Sequence, residues 1–471
     1  MAELSVTQSP IPGLLIINLP LNGDNRGWFK ENWQREKMIK LGLPDFGPVQ
    51  NNVSFNSTVG VARGLHAEPW DKYVALATGR VFGAWVDLRE GESFGTVYTH
   101  ELGPDTAIFV PRGVANGYQT LEPDTVYSYL VNEHWSEDAR SEYTFLNLAD
   151  ETAAIDWPIA LADCELSDAD KAHPRLADVT PMPAKRTVII GGNGQVGRAL
   201  AAVLGDAEVT DRAVLDLADP ESLQKFDWRA YDVVINAAAY TAVDAAETAD
   251  GRRTAWATNV SGVAALAEIA RRHRLTLVHI SSDYVFDGST GPHAEDEPLS
   301  PLGVYGQTKA AGDLVVGGVP QHYIIRSSWV IGDGGNFVRT MIRLADSGVS
   351  PSVVDDQLGR LTFADEIARA VDHLVRLRPS YGVYNLTSAG EPQSWAGIAK
   401  AIFAARGRSP EDVTPVSTET YGAGKELAPR PRNSVLDLTK IANTGFVPRD
   451  GGEALAAYLE AARLEGDAKP I

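Results

Sequence analysis

The chain has 471 residues but only one cysteine, Cys164. A lone thiol excludes an intramolecular disulfide framework and suits a reducing, cytoplasmic setting. Long apolar runs are also missing, and none approaches the roughly 18–20 residues that a membrane helix needs. Residues 1–10 have neither a basic start nor an apolar stretch, so no secretory signal is expected. Positive charge is scarce: 42 Lys and Arg stand against 62 Asp and Glu, a net charge of −20. That balance argues against nucleic acid or an anionic membrane as a partner. Repeats and low-complexity tracts are absent, and 44% apolar with 22% charged residues is a globular composition. The length exceeds one ordinary core, so two or three domains are expected.

Two halves with different periodicities follow one another. Residues 14–19, 73–78, 81–88, 107–110 and 125–131 are short apolar segments separated by Gly, Pro, Asn and Asp. Such strands with turn chemistry between them predict an all-β sandwich or barrel, with helical spacing only at 33–41. From Arg186 the pattern alternates, with strands at 187–190, 233–236 and 276–280 and helices at 195–204 and 260–272. Alternation of this kind predicts a parallel sheet with helices on both faces. Pro174, Pro181 and Pro183 make helix or strand unfavourable between 169 and 185. Domains are therefore expected at 1–178 and 186–471, with a linker at 179–185 and a fraying end at 466–471.

The strand at 187–190 runs into Gly191-Gly192-Asn193-Gly194-Gln195-Val196-Gly197 and then into a helix. Glycines there allow a tight turn that brings backbone N–H groups against a pyrophosphate at the helix N-terminus. Asp211 lies 20 residues past Gly191, where an acid binds an adenosine ribose hydroxyl; Arg212 beside it suits a 2′-phosphate. A solvated turn acid is the plainer alternative for Asp211. Tyr305 and Lys309, four apart on a helix, share one face. The lysine charge is expected to lower the phenol towards neutrality, so that Tyr305 exchanges a proton; a surface Tyr–Lys pair is the alternative. Ser281-Ser282-Asp283 ends the strand at 276–280, where α/β sheets place ligand groups.

The strings GGNGQVG, NAAAYTAVD (236–244), ISSDYVFDG, VYGQTK, RSSWV and DDQLGR resemble the dTDP-4-dehydrorhamnose reductases over residues 186–459. The resemblance implies a Rossmann fold of the extended short-chain dehydrogenase type and NADPH or NADH as cofactor. It implies Tyr305 as the acid, Lys309 as its partner and Ser282 as the hydroxyl bonding the C4 carbonyl oxygen. Asn259 matches a structural and proton-relay position. The cofactor set is Gly191, Gly194, Gln195, Val196, Gly197, Asp211, Arg212, Asp216, Leu217, Ala237, Ala238 and Ala239, with Tyr305 and Lys309. Arg326, Trp329, Asn336 and Gln357 fall at sugar-nucleotide positions. Gly359-Arg360-Leu361 departs from the family's small residue followed by proline.

In the first half, Arg63-Gly64-Leu65-His66 precedes Trp70-Asp71-Lys72-Tyr73. A histidine in a β-domain first suggests a metal-binding cupin, which needs several His or carboxylate ligands. Asn116 occupies the position of the partner histidine, and His100 and His134 lie in unrelated contexts, so no metal is expected. A lone His with a Lys suits proton abstraction next to a carbonyl, the imidazole as base and the ammonium stabilising the enolate. A satisfied core histidine is the alternative.

DNRGWFKE (24–31), QNNVS (50–54), RGLH, the Lys72 segment, VDLR (86–89) and PRGVANGY resemble the dTDP-4-dehydrorhamnose 3,5-epimerases over residues 11–178. The resemblance implies a cupin-like jelly roll that forms homodimers. It implies His66 as base, Asp170 as its orienting acid, Lys72 as enolate stabiliser and Tyr129 as proton donor on the opposite sugar face. Arg26, Glu31, Gln50, Asn52 and Arg63 match nucleotide and sugar contacts. Departures are a shortened His66–Lys72 segment, Asn116 in place of a histidine, and Trp135 in place of a second tyrosine; Trp135 can still stack on a base or sugar. Together the resemblances imply a bifunctional enzyme that epimerises a dTDP-4-keto-6-deoxyhexose at C3 and C5 and then reduces C4. Two alternatives stand beside it. One is the same chemistry on another nucleotide-linked 4-keto sugar, with epimerisation at one carbon or both; the other is a non-catalytic first domain.

Overall fold

A computed structural model of the chain describes residues 3–467. It comprises two compact units, Met1–Ala184 and Lys185–Ile471. Residues 1–2 of the segment inspected for a secretory signal, and 468–471 of the tail expected to fray, lie outside the described residues.

In the first unit, turn residues cut the chain into β1 (Ser5–Gln8), β2 (Leu15–Asn18), a hairpin of β3 (Asn22–Asp24) and β4 (Gly27–Phe29), and helix α1 (Arg35–Lys40). There follow β5 (Gln50–Asn56), β6 (Ala62–Ala67), β7 (Lys72–Thr78), β8 (Val81–Asp87), β9 (Val97–Leu102), β10 (Thr106–Val110), β11 (Val114–Thr120), β12 (Thr125–Val131), β13 (Thr144–Phe145) and the one-turn helix α2 (Asp168–Lys171). They form two antiparallel sheets, β1-β2-β10-β7-β12-β5 and β13-β6-β11-β8-β9.

Val74, Leu76, Ile108, Val110 and Tyr127 of the first sheet meet Trp85, Val114 and Tyr118 of the second in one core. Their alternate neighbours Tyr73, Ala75, Ala107 and Phe109 are covered by Met38 of α1 and by Phe46. The far side of the second sheet, at Leu65, Ala67, Ala84, Val86 and Ala115, is covered by Leu146, Leu148, Leu176 and Met182. Central strands are thus buried on both faces, which is why they read as continuous apolar runs rather than alternating ones. Polar strands β5, β6 and β11 gave no such run.

The stretch 169–185 is not the structureless join expected from its prolines. It carries part of α2 and a 3-10 turn at Leu176–Asp178, and Met182 bridges Arg89. Leu176 and Met182 bury apolar side chains on the second sheet, and that packing outweighs the proline signals. Helix α1 begins at Arg35 because Gln34 caps it, its side chain accepting from Lys37 N at 2.6 Å.

The second unit opens with β14 (Arg186–Ile190), α3 (Gln195–Val203), β15 (Glu208–Thr210), α4 (Pro220–Lys225) and β16 (Tyr231–Asn236). Helix α5 (Ala249–Trp256) runs through a π-helical turn, Ala257–Gly262, into α6 (Val263–His273), so the helix expected from 260 starts earlier. Then come β17 (Thr276–Ser282), α7 (Val304–Val316), β18 (His322–Ser327), α8 (Phe337–Asp346), α9 (Ala364–Leu377) and β19 (Gly382–Asn385). The sheet is parallel in the order β15-β14-β16-β17-β18-β19. Val188, Val234, Leu277 and Ile324 face α6, whereas Ile189, Ile235, Val278 and Ile325 face α3 and α9. Helices therefore cover both faces.

Candidate active sites

A cavity of about 740 Å³ in the first unit is lined by His66, Lys72, Tyr129, Arg63, Trp135 and Asp170, among others. His66 sits on β6, paired with Asn116 on β11 and with Phe145 on β13. Its Nε2 lies 2.9 Å from Asp170 Oδ1. Asp170 is placed by α2, where Ser167 Oγ accepts from the Asp170 N–H at 3.1 Å. Burial works to raise the Asp170 carboxyl, but the hydrogen bond and charge of His66, with Ser167 and His173, hold it below the ordinary value. A carboxylate on one ring nitrogen fixes the tautomer and makes the other more basic.

Lys72 is buried at the start of β7, its Nζ 2.6 Å from Oε1 of the equally buried Glu68. The other Glu68 oxygen accepts from Trp70 Nε1 at 2.5 Å. Lys72 Nζ also lies 5.4 Å from the centre of the Tyr129 ring. Burial, and then the Glu68 carboxylate, push the Tyr129 phenol up to about 12, so it keeps its proton at neutral pH. Asn52 bonds to Tyr129, Gln50 Nε2 donates to Asn52 Oδ1 at 2.9 Å, and Trp135 N donates to Gln50 Oε1 at 3.1 Å. Arg63 Nε donates to Asn56 Oδ1 at 3.3 Å. Arg26 and Glu31 lie elsewhere: Arg26 pairs with Asp24 at a hairpin tip, 84% of its side chain exposed, and Glu31 pairs with Lys37.

Sequence reasoning missed Glu68 and His173. Glu68 precedes Lys72 by four residues, which is a weak ion-pair signal outside a helix. His173 follows Asp170 by three and brings its Nδ1 to 3.9 Å from Asp170 Oδ1. The second imidazole sought at position 116 thus comes from the segment covering the sheet, and His66, Asp170 and His173 hold potential ligand atoms within 4.8 Å of one another.

In the second unit, Gly191 has φ +86°, and a Cβ there would meet Ala238 N at 2.7 Å. A Cβ on Gly197 would collide with Gly191 O. Gly194 caps α3 without a side chain, leaving the first N–H groups of the helix for an anion. The turn and helix end therefore fit the pyrophosphate of a dinucleotide. Gln195 Oε1 accepts from Gly332 N at 2.9 Å, and Val196, half-buried, packs against the core. Asp211 Oδ1 accepts from Ala213 N at 2.9 Å and its Oδ2 from Asn193 Nδ2 at 3.1 Å, tying the end of β15 to the glycine turn. The exposed Arg212 Nε donates to Asp216 Oδ2 at 3.0 Å, and Leu217 is core. Ala237 N donates to Ile190 O at 3.0 Å and Ala238 N to Asn236 Oδ1 at 3.1 Å, with Ala239 half-buried beyond.

Ser282 ends β17 and Tyr305 lies in the first turn of α7, their hydroxyls hydrogen-bonded. Ser282 Oγ also donates to Asp283 Oδ1 at 3.0 Å. Burial pushes the Asp283 carboxyl up to about 6. The expected lowering of the Tyr305 phenol is not what the packing produces: burial pushes it up to about 12. Lys309, pushed down to about 8 by burial against the pull of Asp313, donates to Ile280 O at 2.7 Å and lies 3.3 Å from His279 Nε2. Asn259, in the π-helical turn, accepts from Tyr240 N at 2.8 Å and donates to Thr308 Oγ1 at 3.0 Å.

Of the expected sugar-nucleotide contacts, Arg326 is a correction. It is buried, with Nε donating to Asp313 Oδ2 at 2.9 Å and Nη1 to Glu295 O at 3.0 Å, so its charge is neutralised inside the fold. Asn336 caps α8, its Oδ1 accepting from Arg339 N at 2.9 Å. Gln357 Nε2 donates to Thr418 Oγ1 at 3.0 Å. Trp329 stacks on Trp395 at 3.8 Å, and a Cβ on Gly359 would meet its ring at 2.9 Å. Arg360 anchors the divergent loop by donating from Nε to Gly390 O at 2.8 Å.

An imidazole–carboxylate pair in a cavity on one unit, and a Ser–Tyr–Lys group beside a dinucleotide turn on the other, define a two-domain enzyme. Residues 8–178 match the family described as dTDP-4-dehydrorhamnose 3,5-epimerase and 185–464 the family described as RmlD substrate binding domain, and the chain belongs to both. An RmlC homolog of Streptococcus pyogenes serotype M6 is 55% identical over 180 residues, 37% of this chain and 90% of that protein. The dTDP-4-dehydrorhamnose reductase of Aggregatibacter actinomycetemcomitans is 40% identical over 296 residues, 58% of this chain and 99% of that protein. The crystal structure of dTDP-4-dehydrorhamnose reductase from Bacillus anthracis in complex with NADP is 31% identical, with a TM-score of 0.54, covering 59% of this chain and 99% of that one.

Proposed function

We propose that the chain catalyses two consecutive steps of dTDP-L-rhamnose synthesis. The first unit epimerises dTDP-4-dehydro-6-deoxyglucose at C3 and C5, and the second reduces the C4 ketone with NADPH or NADH. The observation that carries this reading is the set His66–Asp170, Lys72 and Tyr129 around one cavity, joined in one chain to Ser282, Tyr305 and Lys309.

In the first step His66, held by Asp170, takes the proton from the carbon next to the ketone. The Lys72 ammonium stabilises the enolate oxygen, and Tyr129, which keeps its proton, delivers one to the opposite face. Trp135 stacks on the nucleotide or sugar, with Gln50, Asn52 and Arg63 as polar contacts. In the second step the glycine turn and α3 N-terminus hold the cofactor's pyrophosphate, Asp211 or Arg212 its ribose end, and Ala237 to Ala239 its flank. When bound, the nicotinamide supplies a hydride equivalent. Ser282 donates a hydrogen bond to the C4 oxygen and Tyr305 gives it a proton, while the Lys309 ammonium stabilises the phenolate left behind.

The strand orders support a jelly roll for the first unit and an extended short-chain dehydrogenase Rossmann fold for the second, with functional boundaries at 178 and 186. A homodimer through the first unit is supported by the edge strand β5, whose Val53 and Phe55 are 63% and 60% exposed. It would also account for Arg26 and Glu31 lying away from the cavity of their own chain. No helix among the described residues is long and apolar enough to cross a membrane, in keeping with a cytoplasmic enzyme. Proton NMR of the products from dTDP-4-keto-6-deoxyglucose with NADPH tests the reading. A dTDP-6-deoxyhexose reduced at C4 without inversion at C3 and C5 would overturn the epimerase half, and an unreduced ketone the other.

A further inference from the structure

We infer that His66, Asp170 and His173 form a binding site for one divalent transition-metal ion, zinc(II) foremost, and that this ion inhibits the epimerase cavity. The inhibitory part rests on the reading of His66 as the base; the binding part rests on geometry alone.

Two imidazoles and one carboxylate are a donor set that suits zinc rather than magnesium or calcium. Zinc bonds of about 2.0–2.2 Å place tetrahedral ligand atoms about 3.3 Å apart. Asp170 Oδ1 lies 2.9 Å from His66 Nε2 and 3.9 Å from His173 Nδ1, values on either side of that spacing. All three ligand atoms fall within 4.8 Å, so small ring rotations close the set.

His173 Nδ1 is buried without a hydrogen-bond partner, a state that ordinary packing avoids and that a bound cation relieves. The rest of the ring is held ready. It stacks on Phe145 with centroids 4.6 Å apart, and it bonds to the Gly64 backbone. A backbone hydrogen bond of this kind helps to hold a metal-ligating histidine in place. Asp170 is braced by Ser167, and the cavity leaves the remaining coordination position open. An ion here takes the Asp170 oxygen that orients His66 and occupies the imidazole itself, so proton abstraction and metal binding are mutually exclusive.

The full-length chain, stripped with EDTA, is titrated with zinc chloride in competition with a chromogenic chelator. The wild type should bind one zinc per chain, and His173→Gln and Asp170→Asn should each weaken it at least about tenfold. A second measurement needs no variant: solvent deuterium incorporation into the keto sugar should fall in proportion to bound zinc and return on adding EDTA. Absence of stoichiometric binding, or equal affinity in His173→Gln, overturns the site. Full exchange with zinc bound overturns the inhibition. A metal-free chain that never exchanges deuterium contradicts the base assignment instead, and the titration then decides the site by itself.

Discussion

Asn116 is the cross-strand partner of His66, and its Oδ1 accepts hydrogen bonds from Trp85 Nε1 at 2.9 Å and from the Tyr127 hydroxyl at 3.1 Å. Both donors are buried in the core between the sheets. The residue that departs from the family pattern therefore ties the floor of the cavity to the sandwich core. Asn116→Ala leaves two buried donors unsatisfied, each worth about 1–3 kcal/mol. The first unit should unfold several degrees earlier in thermal denaturation, with His66 chemistry retained in the folded fraction. An unchanged melting temperature would show that the amide is not structural.

Tyr305→Phe keeps the ring and removes the proton. General acid catalysis is worth roughly 10²–10⁴-fold, so reductase turnover should drop by that order while cofactor affinity, measured by fluorescence titration, stays near wild type. Retention of more than about a third of the rate would remove Tyr305 from the role of acid.

His66→Ala should abolish solvent deuterium incorporation at C3 and C5 while hydride transfer to an already epimerised substrate survives. In the wild type both carbons should exchange, because base, enolate stabiliser and donor all line one cavity. Proton NMR in deuterated water reads each carbon separately. Exchange at C3 alone would mean that the sugar sits out of reach of His66 at C5, since misplacement by about 1 Å is enough to lose the reaction.

The reductase should lose activity as pH rises through about 8. Burial brings Lys309 down to about 8 while Tyr305 stands at about 12. The lysine thus carries its charge below pH 8 and sheds it above, whereas the tyrosine keeps its proton across that range. The phenolate formed on proton transfer needs the ammonium, so the alkaline limb belongs to Lys309. Lys309→Arg, whose charge persists, should remove that limb from the pH profile of kcat; a limb that stays at the same pH would assign it to another group.

Much of the catalytic inventory is legible in the chain because it is local. A strand followed by Gly191, Gly194 and Gly197 at the start of a helix is a turn whose neighbours in sequence are its neighbours in space. Tyr305 and Lys309 share a helix face for the same reason, and the strand–helix alternation beyond Arg186 determines a parallel sheet. Polar strands such as β5 and β11 were not legible, since their burial depends on partners far along the chain.

What only the tertiary structure decided is the state of the charges. Glu68 pairs with the Lys72 ammonium inside the cavity wall, and Arg326 is consumed by Asp313 rather than left for a substrate. His173 reaches Asp170 and His66 only because the 146–182 segment folds back over the second sheet. The Tyr305 phenol rises instead of falling because desolvation outweighs the hydrogen bond of Ser282, while Lys309 is bonded to Ile280 O. Residue types and spacing determine which groups can react; desolvation and long-range pairing, which arise from packing between distant segments, determine which protons and charges they carry.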